Sequence, residues 1–475
     1  MTAVLFRCDA TARGGIGHFV RSLALAEELA ARGRRAVISG EIESPLAQDM
    51  LRRTDVTVVP AALTSSQLLE RAALVGAGTI HVDRYEGFAD LRALAGAPAV
   101  VISTASDDEH GRRSADVIVD GSPRAIREFD VLYADADVCL GPDHVVLRRG
   151  LARDVTQPTR RENAGANVLV LMGGTDAAGY GPAVARTALR LPGVTRVGMV
   201  GSAEQVHGVI TVARRPELTE LVRGWDLVIT AAGTTVWELA ALAVPMALIG
   251  VAENQRDHYD TLLADGAAIG LGFLPPKDDL AVADLTRIIA DTGARRAMAD
   301  RAHRMVDGSG AARVVDVWDA VARDRRGTSL QLRPAAARDA GRLYRWRNDP
   351  VVRRQSRSTG PVSWAEHVAW LRASLIRPDR RLYIATWRSP VGTVRFDALA
   401  PGEWEISVTV APGERGRGLG SQMIDRALTA IASEGRLVKA ELRDTNDASR
   451  SLFRRSGFVP EDSRLQGWER WVKRF

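Results

Sequence analysis

Glu405-Ile-Ser-Val-Thr-Val-Ala-Pro-Gly-Glu-Arg415-Gly416-Arg417-Gly418-Leu419-Gly420-Ser421 decides the fold of the last third of this chain. The alternating run that ends in Val408-x-Val410 predicts a strand, and residues 422–433 predict an amphipathic helix. Between them the glycines let backbone amides approach an anion closely, and the helix start adds the positive end of its dipole. The segment therefore reads as a diphosphate cradle. Further along come a predicted strand at 438–442, then Asn446, then Ser451-Leu-Phe453-Arg-Arg-Ser-Gly457-Phe458.

This order resembles the GNAT superfamily of N-acetyltransferases. The resemblance implies acetyl-coenzyme A as co-substrate. It places Val408, Val410, Arg415, Gly416, Arg417, Gly418, Leu419, Gly420 and Ser421 at the diphosphate and pantetheine, with Asn446 beside the arm. Many members carry a Tyr general acid where this chain has Phe453, which has no proton to give. The leaving thiolate is then protonated by water or another group, or departs as the anion. Glu405 is the candidate base for the amine, an ordinary exposed strand carboxylate being the equal alternative.

The opening of this region is Leu343-Tyr-Arg-Trp346-Arg347-Asn348-Asp349-Pro350-x-Val352-Arg353, followed by Glu366-His367-x-x-Trp370. It resembles the GNAT branch that acetylates amino sugars on nucleotides, which includes the acetyltransferase of the pseudaminic acid pathway. Arg347 and Asn348 are the candidates for the acceptor pocket. Trp346 and Trp370 are expected in the core.

The front two-thirds alternate short apolar strands with helices. Strands are expected at 3–6, 36–39, 56–59, 79–82, 99–102 and 117–119, then at 168–172, 196–200, 227–229 and 246–249. The clearest helix is 19–32. Such alternation predicts α/β architecture, with two Rossmann-like domains built on parallel sheets. The expected domains are 1–155, 164–322 and 330–475, with a polar hinge at 153–166 and a charged linker at 323–329.

Two loops carry chemistry. Gly15-Ile-Gly17-His18-x-x-Arg21 follows the first strand and sets an imidazole at a helix start, where the dipole opposes its charged form. Gly173-Gly174 follows a strand and precedes a helix, and Gly233-Thr234-Thr235 at a helix start forms an anion site. Glu238 could accept ribose hydroxyls, and Asn254 and Gln255 suit sugar hydroxyl or acetamido groups.

With Asp83-x-Tyr85 and Leu140-Gly141-Pro142, this series resembles the UDP-2,4-diacetamido-2,4,6-trideoxy-altropyranose hydrolase family of the pseudaminic acid pathway, which has a GT-B fold. The resemblance implies that His18 activates water, with Gly17 and Arg21 in the same motif. It also implies that Tyr85 and Asn254 line the sugar site, that Glu238 holds the uridine ribose, and that no metal is required. Two features depart from the pattern: Arg84 stands where a small residue is common, and an acidic pair falls late, at 107–108.

A bifunctional chain is therefore expected, an acetyltransferase joined to a UDP-sugar hydrolase. A glycosyltransferase on the same fold is one alternative. A non-catalytic nucleotide-sugar module serving a peptide or small-molecule acetyltransferase is the other.

Composition narrows the partners. Of 475 residues, 46% are hydrophobic and 26% charged, as in a globular enzyme. The sequence pI of about 9.7 accompanies a net charge of only +6, because almost every basic residue is Arg; the lysines are Lys277, Lys439 and Lys473. The arginines are scattered among acids, which argues against a nucleic-acid surface. No apolar run approaches a membrane span. The chain opens directly into a strand-like run without signal-peptide features, so a cytosolic location is expected. Cys8 and Cys139 are too few for a disulfide framework or a zinc site.

Overall fold

A computed structural model describes residues 3–11, 15–84, 88, 91, 100–105, 115–127, 136–149, 151, 165–173, 176, 179–201, 204–275, 280–462 and 466–475. The expected hinge therefore lies largely outside the described residues.

The first sheet contains β1 (Ala3–Arg7), β2 (Ala36–Ser39), β3 (Thr57–Val59), β4 (Ala77–Val82), β5 (Val101–Ala105), β6 (Val117–Asp120) and β7 (Asp137–Leu140). It is parallel, in the order β3-β2-β1-β4-β5-β6-β7. The residues of β1, Ala-Val-Leu-Phe-Arg, are all buried, as a strand covered on both faces requires. The order reverses between β1 and β4, which opens a crevice at their carboxyl ends.

The second sheet contains β8 (Ala166–Leu171), β9 (Val194–Val200), β10 (Ile210–Val212), β11 (Leu227–Ala231), β12 (Met246–Gly250) and β13 (Ile269–Phe273). Its parallel order β10-β9-β8-β11-β12-β13 puts the reversal between β8 and β11. The glycine loops at 173 and 233 follow those two strands. Two Rossmann-like sheets thus each bring a loop pair to a switch point.

The third sheet contains β14 (Gln331–Pro334), β15 (Arg380–Trp387), β16 (Ser389–Ala400), β17 (Glu403–Val410), β18 (Leu437–Arg443), β19 (Val459–Glu461) and β20 (Trp468–Arg474). The order is β14-β15-β16-β17-β18-β20-β19. Neighbours are antiparallel except β17 and β18.

Two features differ from expectation. A helix runs from Gly310 to Arg326, so residues 323–326 of the expected linker at 323–329 are helical. Its apolar side, including Val314, Val315 and Trp318, enters the core of the first sheet beside Phe6 and Phe19. Its charged end is held from several directions: Arg325 pairs with Asp116, and Asp324 accepts from Arg333. The helix expected at 19–32 begins at Gly17, which puts His18 inside its first turn.

The third sheet's opening helix, Ala340–Asn348, docks on the first domain. Leu343, Trp346, Trp364 and Leu371 share one apolar cluster with Ile80, Ile102 and Val138. Trp346 is buried and Trp370 packs at the margin of the cluster, as expected of core aromatics. Both cysteines are buried and free. No helix among the described residues is long and apolar enough to cross a membrane.

Candidate functional site

Because β1 and β4 are neighbours, whatever follows them converges. Asp83 comes directly after β4, its amide bonding to the Arg7 carbonyl at 3.0 Å. The helix after β1 brings His18 to it: Nδ1 lies 2.7 Å from Asp83 Oδ1. One helical turn on, Arg21 grips the same carboxylate through Nε to Oδ2 at 2.9 Å and Nη2 to Oδ1 at 2.8 Å. Burial pushes the Asp83 carboxyl up. The Arg21 charge and the hydrogen bonds from Arg21 and His18 outweigh it and hold the group well below the usual carboxylate range. Asp83 is therefore an acceptor only. A proton on His18 Nδ1 would be donated to this carboxylate, and Arg21 Nη2 lies 3.0 Å from the same nitrogen.

This cluster abuts a cavity of about 810 Å³ between the two Rossmann-like domains. Gly17, Arg21 and Asp83 line one wall, and Thr234, Thr235, Glu238 and Gln255 line the other. His18 lies just behind the first wall, 6% exposed. Burial in this wall pushes the Glu238 carboxyl up to about 7, with Arg148 opposing and Glu217 adding to the rise. Gln255 spends its side-chain oxygen on the Val251 amide at 3.1 Å. Asn254 is exposed on the adjoining turn and does not line the cavity. Tyr85, Gly174 and the acidic pair at 107–108 lie outside the described residues. Arg84 is not among the described residues that line the cavity; its Nε lies 3.8 Å from Asp9 Oδ2 and its guanidinium sits over the Phe88 ring.

Sequence reasoning underrated Arg148. It pairs with Glu27 of the first domain through Nε and Nη2, at 2.9 and 2.6 Å, and with Glu217 of the second at 3.2 Å. One guanidinium thus bridges both walls. His81, His144 and His258 also line the cavity, and no motif around them signalled it.

In the third domain, β17 and β18 pair only from Glu403↔Leu437 to Ile406↔Ala440. Beyond Ile406 the two strands part, while Ser407–Val410 remain bonded to β16 on their other side. Val408 and Val410 therefore border a cleft with backbone groups facing it. The loop that follows turns through Gly416 and Gly418, whose φ values of 77° and 72° suit glycine. Gly418 caps the helix Leu419–Ile431. A Cβ at Gly416 or Gly418 would meet nothing within 4 Å, so the space over the loop is open. Gly420 instead permits close packing, since a Cβ there would meet Leu452 at 3.1 Å. Leu419 is a core side chain, and the Ser421 hydroxyl donates to the Gly418 carbonyl. Arg417 pairs with Glu414. Asn446 caps the helix Asp447–Arg455 through the Ser449 amide.

Glu405 projects from β17 with Arg357 Nη2 3.8 Å away, and Arg357 also pairs with Glu441. Phe453 is 5% exposed and packs edge-on against Phe458. Asn348 acts on backbone: it donates to the Val362 carbonyl and accepts from the Val362 amide. Arg347 donates to the Ser358 carbonyl. Both hold the 356–362 loop. His367 is a core imidazole that donates from Nε2 to the Ala340 carbonyl, and burial pushes its pKa down to about 4.

Comparison with known proteins places two parts of the chain. The family described as Acetyltransferase (GNAT) domain matches residues 329–459. The spore coat polysaccharide biosynthesis protein SpsG of Bacillus subtilis (strain 168) is 24% identical over 219 residues, which span 43% of this chain and 64% of that protein. The chain thus covers just under two thirds of that curated relative. Similar solved structures include the ribosomal L7/L12 alpha-N-protein acetyltransferase RimL in complex with coenzyme A, with 20% identity, a TM-score of 0.29, and coverage of 31% of this chain and 95% of that one. Another is the Vibrio cholerae spermidine N-acetyltransferase in complex with CoA and spermine, with 18% identity, a TM-score of 0.28, and coverage of 30% and 95%. Over residues 329–459 this chain is a GNAT acetyltransferase domain, joined to an N-terminal part that resembles a spore coat polysaccharide biosynthesis protein.

Proposed function

We propose that the chain acetylates the amino group of a UDP-linked amino sugar and hydrolyses the resulting UDP-diacetamido sugar to free sugar and UDP, as in pseudaminic acid-type biosynthesis. The reading is carried by the cavity, with Asp83, paired to His18 behind it, in one wall and a Gly-Thr-Thr helix start in the other, on a chain that also holds an acetyltransferase domain. The GT-B arrangement implied by the resemblance puts a nucleotide-sugar between those walls.

The open space over Gly416 and Gly418 and the parting of β17 from β18 fit acetyl-CoA. When bound, it supplies the acetyl group as a thioester. The amides of 415–421 hold its diphosphate, and the backbone edge at Val408 and Val410 receives its arm. Glu405 takes the proton that the amine loses as its nitrogen bonds to the acetyl carbon, while the carbon–sulfur bond breaks and the sulfur leaves as the thiolate. In the cleft, His18 takes a proton from the attacking water while Asp83 fixes its tautomer and Arg21 fixes Asp83. The glycosidic C–O bond breaks towards the diphosphate, whose charge falls to Thr234, Thr235 and the neighbouring amides.

Mass spectrometry of products from UDP-amino sugars, with and without acetyl-CoA, tests this. The wild type should yield free diacetamido sugar, UDP and CoA. His18→Ala should stop at the acetylated UDP-sugar. UDP release that survives this substitution would remove His18 from its role.

A further inference from the structure

The cofactor loop and the acceptor-side opening are 66 residues apart in sequence and meet at one carboxylate. Asp349 Oδ1 accepts from Nη2 of Arg415 at 2.7 Å and from the amides of Val351 and Val352 at 3.0 and 3.1 Å. Burial pushes this carboxyl up, but the Arg415 hydrogen bond and the capping amides win and hold it below its usual range.

Around Asp349, neighbouring side chains grip the backbone of 356–362. Arg347 donates to Ser358 and Arg353 to Thr359, while Asn348 bonds both ways with Val362. From the other side Arg443 donates to Ser356. The loop so held carries Arg357, whose guanidinium pairs with Glu441 and lies 3.8 Å from Glu405. A continuous set of polar contacts therefore runs from Arg415, through Asp349 and the 347–353 segment, to the candidate base.

We propose that Asp349 is a positioning residue that couples occupancy of the 415–421 loop to the order of the 356–362 loop, which carries Arg357 beside Glu405. This rests on the reading that 415–421 binds the CoA diphosphate. A guanidinium offers five donors, so Arg415 can serve a diphosphate without releasing Asp349. Bridging both anions immobilises Arg415. Asp349 then stiffens the junction between the helices Ala340–Asn348 and Pro350–Arg354, from which the loop is held.

Amide hydrogen exchange of the full chain, with and without saturating CoA, tests this in the wild type and in Asp349→Asn. Asn caps a helix as well as Asp does, so the variant keeps the cap and loses only the charge. In the wild type CoA should slow exchange in both 415–421 and 356–362. In the variant, protection should persist at 415–421 and be lost at 356–362. Equal protection of 356–362 in both proteins, or none there in the wild type, overturns the inference. Absence of protection at 415–421 in the wild type sinks the parent reading of that loop, and the inference with it.

Discussion

Arg342 Nη2 lies 2.5 Å from Asp137 Oδ2, joining the opening helix of the acetyltransferase domain to the last strand of the first sheet across 205 residues. Arg338 donates to the other oxygen of Asp137 at 2.7 Å. All three side chains are under a tenth exposed. Removing the shared carboxylate leaves Arg338 only Asp324, at 3.5 Å, and Arg342 only Asp339, at 3.6 Å, whereas removing one Arg leaves the other paired with Asp137. Asp137→Ala should therefore cost more than Arg338→Ala, with about 3–5 kcal/mol as the upper bound because Asp324 and Asp339 remain as partners. Chemical denaturation followed by tryptophan fluorescence checks the ranking, since Trp346 and Trp364 lie in the adjoining apolar cluster. Equal costs for the two would mean that the network does not hold the domains together.

Asp83 fixes His18 without being able to take its proton, because Arg21 keeps the carboxylate ionised. Asp83→Asn should lower the rate of UDP release about 10²-fold or more, by freeing the imidazole tautomer and orientation. Acetylation by the C-terminal domain should be unchanged. Parallel assays of UDP release and CoA release separate the two. A variant that loses both has lost its fold rather than its base.

Much of this architecture was legible because it is written in runs of residues. The strand Ala166–Leu171 declares itself by the continuous apolar run 168–172, and the 405–421 segment by a strand, a glycine loop and a helix in succession. What escaped depends on residues distant in sequence. Asp137 opens β7 as a buried acid, and nothing nearby in sequence announces Arg338 and Arg342. The pairing of His18 with Asp83 arises only once β1 and β4 lie side by side. The last turn of the Gly310–Arg326 helix, Arg-Asp-Arg-Arg, reads in sequence as a solvated linker, because its partners Asp116 and Arg333 lie outside the segment. That Asn348 holds the backbone of Val362 leaves no trace in side-chain pattern.

Glu238 should make stability fall with rising pH. Its folded pKa of about 7 lies above the ordinary 4.5, so the folded state holds the proton more tightly than the unfolded chain. The associated stability is fully present below 4.5 and lost as pH rises through 7. The loss is on the order of 1–3 kcal/mol after allowing for contact with cavity water. Glu238→Gln should remove this dependence, gaining stability relative to wild type at pH 8 but not at pH 4.5. Thermal unfolding of the two proteins across that range is the measurement, and parallel curves would count against a buried acid at this position.

Gly413 and Gly418 give a matched pair for testing the cofactor loop. A Cβ at either would meet nothing within 4 Å, so neither substitution to Ala creates a clash. They differ in backbone: Gly418 has φ of 72°, whereas Gly413 is not in the left-handed region. Alanine in that region costs roughly 1–2 kcal/mol, which the loop can avoid only by turning its amides. Gly418→Ala should therefore weaken CoA binding about tenfold or more, while Gly413→Ala binds as the wild type does. Calorimetric titration of CoA distinguishes them. If both variants bind normally, the left-handed turn at Gly418 is not what aims the loop amides at the diphosphate, and the strand edge at Val408 and Val410 must carry the binding instead.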